Sequence, residues 1–440
     1  MKKPSIRPVL TVTAACLLPA AAVHAQTTLQ SPGGVLGESA AQPAGQSMAT
    51  PMTTPMGTSM TIPVSPAQSI SQPFSPVSSA PDQREGLTFR ATAGVERDDN
   101  VTRVNGGEIS DTITGLGLGL RYQKRVSQQT FVVDAEVNRY NFDKLGTDYN
   151  TLNYAAAWNF RFGNRIEGIA SADRRQFRDV TTNGGAGIIN RRTERNELVE
   201  GGYRLGAAWR VLAGLQHQAI SSTDPNAWDG NQRMTSTRLG TSYELATGSS
   251  ITARWRHGEG DYRDAPTTSD FNDDEIDVTL RWVLSPKTTV EARLGHLSRD
   301  HDTTPTRDFS GVVGGANVNW DITAKTRLQA GYARDLGSYV FGTGGHMRSD
   351  RWYVGPTWRA TELLAVNLRF ERENRHFEDV TGSTDAGRRD RYNVLSAGVD
   401  WQVRRSISVS AQLRNERRSS TLPAFDYRAN VIGLSAKLTI

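Results

Sequence analysis

Cysteine is all but absent from this 440-residue chain: the one example, Cys16, sits in the first apolar run. Without that run the protein can form neither disulfides nor thiolate metal sites, although the run itself addresses the chain to an oxidising compartment. Lysine is scarce too, with only Lys124, Lys144, Lys287, Lys325 and Lys437 beyond the N-terminal run. Arginine therefore carries the positive charge, and its planar fork suits carboxylates and phosphates. The formal net charge of +5 is small for this length, and a general nucleic-acid binder would need a clustered basic surface instead. Beyond the N-terminal run no segment approaches the ~18 uninterrupted apolar residues needed to cross a bilayer as a helix.

The N-terminus carries Lys2, Lys3 and Arg7, a mostly apolar run from Val9 to Val23, and then Val23-His24-Ala25. This is the layout of a secretory signal peptide cut after Ala25, so residues 1–25 are expected to be removed. Residues 26–84 are mainly Gln, Ser, Thr, Pro, Ala, Met and Gly, with very few charges. Such a composition cannot bury enough apolar area to offset the entropy of ordering, and it predicts a disordered periplasmic segment. Met48, Met52, Met56 and Met60 beat every four residues there. Regular thioethers suit Cu(I), but low complexity explains the spacing without a metal.

From residue 85 onward a different beat takes over. Trp158, Tyr203, Tyr243, Trp282, Trp320, Trp358 and Trp401 recur at intervals of 38 to 45 residues, and the eighth residue after each is Ile166, Val211, Ile251, Val290, Leu328, Val366 or Val409. Small or apolar residues follow at the tenth position and usually large ones at the twelfth. All these offsets are even, so in an extended strand they share one face. The odd offsets are mostly polar, as at Glu167, Arg254, Glu291, Arg293 and Arg369. Treating alternating runs as strands and Gly/Asp/Pro/Asn clusters as breaks predicts about eighteen strands, from 86–97 to 427–440. Short connections such as Ser285-Pro286-Lys287 alternate with longer ones such as Asp98 to Glu108.

A sheet with so continuous an apolar face would expose a very large patch in water. Lipid removes that difficulty but offers the backbone no hydrogen-bond partners, so the sheet must close on itself. The expected fold is all-β: a transmembrane antiparallel β-barrel spanning residues 85–440, in the cell outer membrane. Short turns face the periplasm, the aromatic anchors form the girdle at that interface, and an even strand count leaves both ends there. A β-propeller has a similar repeat length but fits four strands into it, where two long ones stand here.

The Trp-turn-alternation unit, as in Trp320 to Arg334 or Trp358 to Arg372, resembles the outer-membrane β-barrel proteins of porin type from alphaproteobacteria, some of which accompany polysaccharide export. The resemblance implies a channel and partners in outer-membrane lipid, lipopolysaccharide, the barrel-assembly machinery and polysaccharide-export components. Many such barrels end in an aromatic residue that the machinery reads; Ile440 stands in its place here.

The candidate site is the lumen wall. Inward parity gives Arg254, Arg256, Arg293, Arg369 and Arg414 with Asp134, Glu136, Glu167, Glu291 and Glu371. A barrel of roughly 16 to 18 strands can hold water, and arginine rings can select anions; alternatively these charges pair across strands. Most aromatics fall on the outward parity, so no aromatic slide is expected, and no loop is long enough for a large plug. His217, His257 and His296 share one offset, but strand spacing keeps three of them from one ion. Asp300-His301-Asp302 reads as loop chemistry rather than catalysis, and Asp98, Asp99, Asp270, Asp273 and Asp274 as solvated loop charge rather than a Ca²⁺ site. The expected function is non-enzymatic and cofactor-free: a porin-like channel for small polar or anionic solutes. An exopolysaccharide conduit and a non-conducting structural or adhesive barrel are the alternatives.

Overall fold

The structure is a computed structural model that describes residues 85–179, 190–223, 230–245, 248–263, 270–340 and 343–440. The expected signal peptide and the segment 26–84 lie outside the described residues. The strands are β1 (Gly86–Asp98), β2 (Asp111–Val126), β3 (Gln129–Phe142), β4 (Tyr149–Phe162), β5 (Ile166–Asp179) and β6 (Asn190–Arg204). Next come β7 (Trp209–Ser222), β8 (Gln232–Glu244), β9 (Ser250–Tyr262), β10 (Phe271–Ser285), β11 (Thr288–His301) and β12 (Phe309–Asp321). The last are β13 (Thr326–Ser338), β14 (Gly344–Arg359), β15 (Leu364–Thr381), β16 (Arg389–Arg404), β17 (Ile407–Ser420) and β18 (Tyr427–Thr439).

Each strand pairs antiparallel with its neighbours in sequence, and β1 pairs with β18 from Arg90↔Thr439 to Asp98↔Val431. The eighteen-stranded sheet is therefore a closed barrel. Phe89 and Ile440 exchange two backbone hydrogen bonds, 2.8 and 2.9 Å, at the seam. Closure leaves no unpaired edge, the condition lipid imposes on a spanning sheet.

The register explains the eight-residue beat. Tyr203 lies opposite Val211, Tyr243 opposite Ile251, Trp282 opposite Val290, Trp320 opposite Leu328, Trp358 opposite Val366 and Trp401 opposite Val409. Each anchor and its eighth successor are thus cross-strand neighbours over a tight turn, and such pairs stabilise sheets. Trp158 departs from the rule. It lies opposite Ala170, while Phe162 takes the place opposite Ile166. The turn there is centred on Asn164 with Gly163 at φ 61°, four residues from Phe162 to Ile166, so Trp158 sits deeper in the apolar face, stacked on Phe131 at 5.9 Å.

Exposure follows parity. Leu116, Leu118, Leu294, Leu413 and Ile432 stand out from the barrel, with Leu118 71% exposed, as a lipid-facing wall requires. The buried apolar side chains lie elsewhere. Apart from a few near the short turns, such as Val132 and Leu212, they cluster at the rim with the longer loops, on the inward parity: Ile113, Phe142 and Tyr149 around Val101; Tyr392, Val394 and Tyr427; Leu297, Phe309 and Val313. Val101 reaches the first of these from the β1–β2 connection, and Val340, from the β13–β14 connection, packs with Met234, Tyr262 and Phe271. Short loops thus turn inward at this mouth. These loops are too short to form a large plug, yet a connection of twelve residues, as between β1 and β2, suffices to tuck a side chain against the wall.

Candidate functional site: the charged lumen wall

All ten inward candidates point into the barrel, and each meets an opposite charge or a polar partner. Near the turn rim, Glu167 on β5 is held by Arg161 at 2.9 Å, Arg204 at 3.1 Å and Arg210 at 2.5 Å. Arg210 also reaches Glu244 on β8. Glu291 takes Arg281 at 3.1 Å. Further up, Asp134 accepts two hydrogen bonds from Arg90, 2.8 and 2.5 Å, and Glu136 accepts one from Asn138 at 2.7 Å. Arg256 pairs with Glu275 at 2.6 Å, and Arg293 with Glu275 and, at 3.7 Å, Asp277. Arg254 lies 3.7 Å from Glu200, Arg369 3.2 Å from Glu371, and Arg414 2.6 Å from Glu416. The five arginines therefore do not form a free positive ring. Their charges are compensated within the wall.

Glycines make this arrangement possible. Arg90 on β1 reaches Asp134 on β3 by lying over Gly119 of the intervening β2, where an added Cβ would stand 3.0 Å from its Nε. Gly214 separates Glu200 from Arg238 in the same row, and Gly331 lets the Tyr353 hydroxyl donate to Asn317 Oδ1 at 3.1 Å across β13. A side chain at these positions would fill the path. The long residues run along the wall, one strand beyond their nearest neighbour.

Toward the loop rim the wall becomes an arginine and aromatic collar. Arg299 donates to both oxygens of Asp273, at 2.6 and 2.8 Å, with its guanidinium 3.8 Å from the Phe271 ring centre. Arg375 pairs with Glu373 at 2.6 Å beside Tyr392, and Asp390 takes Arg418 at 2.7 Å and Arg388 at 2.9 Å. Arg388 also stacks on Phe425 at 3.6 Å. Cation–π contacts of this kind are strongest where water is excluded. The aromatic members, among them Phe271, Phe309, Phe377, Tyr392 and Tyr427, are inward and buried. Most strand aromatics do lie on the outward parity, and these inward ones are confined to the strand ends at the loop rim. The inward parity of Arg299, Arg375 and Arg418 was readable in the sequence; the loop partners were not.

The β1–β2 loop enters this collar through Arg103. Its Nη1 lies 2.7 Å from Asp98 Oδ2 and its Nε 2.8 Å from Glu416 Oε2, while Arg178 reaches Asp98 at 3.2 Å. Burial works against the Arg103 charge, but Glu416 and Asp98 outweigh it and hold the guanidinium protonated well beyond its usual range. The Tyr339 phenol, in the β13–β14 loop, is pushed up by burial and by donating to Asp385.

The remaining candidates are dispersed. His217 bonds Thr235 at 2.9 Å and His257 bonds Asp274 at 3.0 Å, each on its own. His301 does not belong to an open loop: it is buried between the Tyr262 hydroxyl at 2.9 Å and Asp308 at 3.2 Å. Asp98 and Asp273 turn inward to arginines, so they are wall residues rather than solvated loop charge. Among the described residues no group of three or more His, Cys, Asp or Glu could hold a metal ion.

No curated protein sequence matches the chain. Solved structures that resemble it include Pseudomonas aeruginosa OpdK with vanillate, at 11% identity and a TM-score of 0.47, covering 80% of this chain and 99% of that one. Pseudomonas aeruginosa OccK2 (OpdF) gives 13% identity and 0.47, covering 80% and 98%. OccK9 (OpdG) of the same organism gives 12% and 0.46, covering 80% and 98%. The family described as "Putative beta-barrel porin 2" matches residues 216–440, half of the chain, and takes in eleven strands from β8 to β18. With its closed barrel, outward apolar belt and charged inner wall, this outer-membrane protein belongs to that porin family.

Proposed function

We propose that the barrel is a passive channel for small polar solutes, anions included, that cross by exchanging places with wall charges. The observation that carries this is Glu167: one carboxylate held by Arg161, Arg204 and Arg210 near the periplasmic rim. Three guanidinium forks around one carboxylate form a site in which an acidic solute can replace the wall's own acid with little change in electrostatic energy. The ladder continues through Arg254, Arg256 and Arg293 to the collar, so a solute meets a compensated partner at each step. Conduction requires sites weak enough to leave, and shared arginines supply that.

The signal peptide and the 26–84 segment are proposed to deliver the chain and to remain periplasmic. Purified protein in planar bilayers under a salt gradient tests the channel directly. We expect discrete conductance steps, with Glu167→Gln shifting the reversal potential toward anions. A folded protein that gives no steps refutes the channel and leaves the structural barrel.

A further inference from the structure

The outer surface carries a row of arginines that the channel does not use. Arg372, Asn393, Arg417 and Arg428 lie opposite one another in register across β15, β16, β17 and β18. All four are on the outward parity, and Arg417 and Arg428 are exposed. Arg417 faces Arg428 directly, an arrangement of like charges that destabilises a sheet unless something anionic sits between them. Several outward arginines on this rim are paired, Arg233 with Asp261 at 2.7 Å, Arg334 with Asp350 at 2.6 Å and Arg348 with Glu378 at 2.6 Å, whereas Arg174 and Arg195 face each other across β5 and β6 as an isolated pair and not as a row. Among the described residues Arg372, Arg391, Arg417 and Arg428 have no carboxylate within 4.0 Å.

The height of the row identifies what it meets. Below it on the same face stand Leu368, Leu395, Leu413 and Ile432, all exposed. The eight residues from Trp401 up to Asn393 make about 27 Å of strand, or about 21 Å of height at a typical tilt, which brings the row close to the upper edge of the ~25 Å apolar band of such barrels. Arginine thus begins where outer-leaflet acyl chains end. Three strand spacings make the row about 14 Å long, enough for more than one phosphate.

We infer that this face binds a phosphate-bearing glycolipid of the outer leaflet, its phosphates on Arg372, Arg417 and Arg428 and its acyl chains on the leucines beneath. The inference rests on the outer-membrane location and not on conduction. The test uses the full mature chain in phosphatidylcholine nanodiscs, titrated with diphosphorylated lipid A and read by native mass spectrometry. Dephosphorylated lipid A and phosphatidylglycerol serve as comparison lipids. We expect retention of diphosphorylated lipid A over both, weakened on the order of 10- to 100-fold by the triple variant Arg372→Gln, Arg417→Gln, Arg428→Gln. The paired-arginine triple Arg233→Gln, Arg334→Gln, Arg348→Gln should leave it unchanged. Equal retention of the dephosphorylated lipid, equal competition by phosphatidylglycerol, or equal loss in both triples overturns the inference. Heat-modifiable gel mobility verifies that each variant is folded before titration.

Discussion

Replacing Arg103 by Gln tests whether the inward loop at the mouth controls passage. Arg103 extends from the end of β1 over β18 to Glu416 on β17, so it fastens the β1–β2 loop to the inner wall. Breaking a buried ion pair by removing one partner costs about 3–5 kcal/mol. Here Asp98 keeps Arg178 at 3.2 Å and Glu416 keeps Arg414 at 2.6 Å, so the low end of that range applies. What remains is the burial of Val101, worth roughly 1.5–3 kcal/mol, and two hydrogen bonds from Asn100 Nδ2, to Val104 O at 2.8 Å and Arg428 O at 2.9 Å. Each of those contributes about 1 kcal/mol. Losing about 3 kcal/mol multiplies the undocked population by about a hundredfold. Single-channel recording should then show a noisier, larger conductance, with some gain in cation preference because one positive charge is gone from the mouth. A folded variant with unchanged conductance, noise and selectivity would refute the idea that this latch shapes the pore.

Other outcomes follow from the wall and its glycines. Leu118→Arg places a charge on the lipid face and should cost about 2–4 kcal/mol, read as a lower urea midpoint for folding into liposomes. Gly168→Ala brings a Cβ to 2.4 Å from the Glu200 carbonyl oxygen and 2.3 Å from the Phe160 ring, so the backbone must shift; a loss of about 1–3 kcal/mol is expected in the same assay. Trp401→Ala removes a rim aromatic that faces Val409 across the hairpin, and should lower stability by less than the charge does, roughly 0.5–1 kcal/mol. A larger loss there than for Leu118→Arg would show that the girdle assignment is mistaken.

Much of the barrel is legible in the sequence. Strand parity alone placed Leu294 and Leu413 outside and Arg254, Arg293 and Glu371 inside, because alternation is a property of the extended chain itself. The strand number came from the turns, since each Gly, Pro or Asn cluster marks a reversal. Trp158 shows the limit: its parity was readable but not its depth, which depends on where the turn centres. Pairing was less legible still. That Arg90 would pass over Gly119 to Asp134 requires knowing which residues share a row across three strands.

By itself, the sequence determined that half of each long segment faces lipid and half faces water, because alternation in a strand is a local property and needs no neighbour. Only the tertiary structure decided that the wall's arginines are neutralised, that the loop-side mouth is lined with rings, and that arginines outside line up across β15 to β18 with no carboxylate beside them among the described residues. Those outcomes turn on register and loop placement, and they bring together residues such as Arg103 and Glu416 that lie at opposite ends of the barrel sequence and become neighbours only when β1 closes on β18.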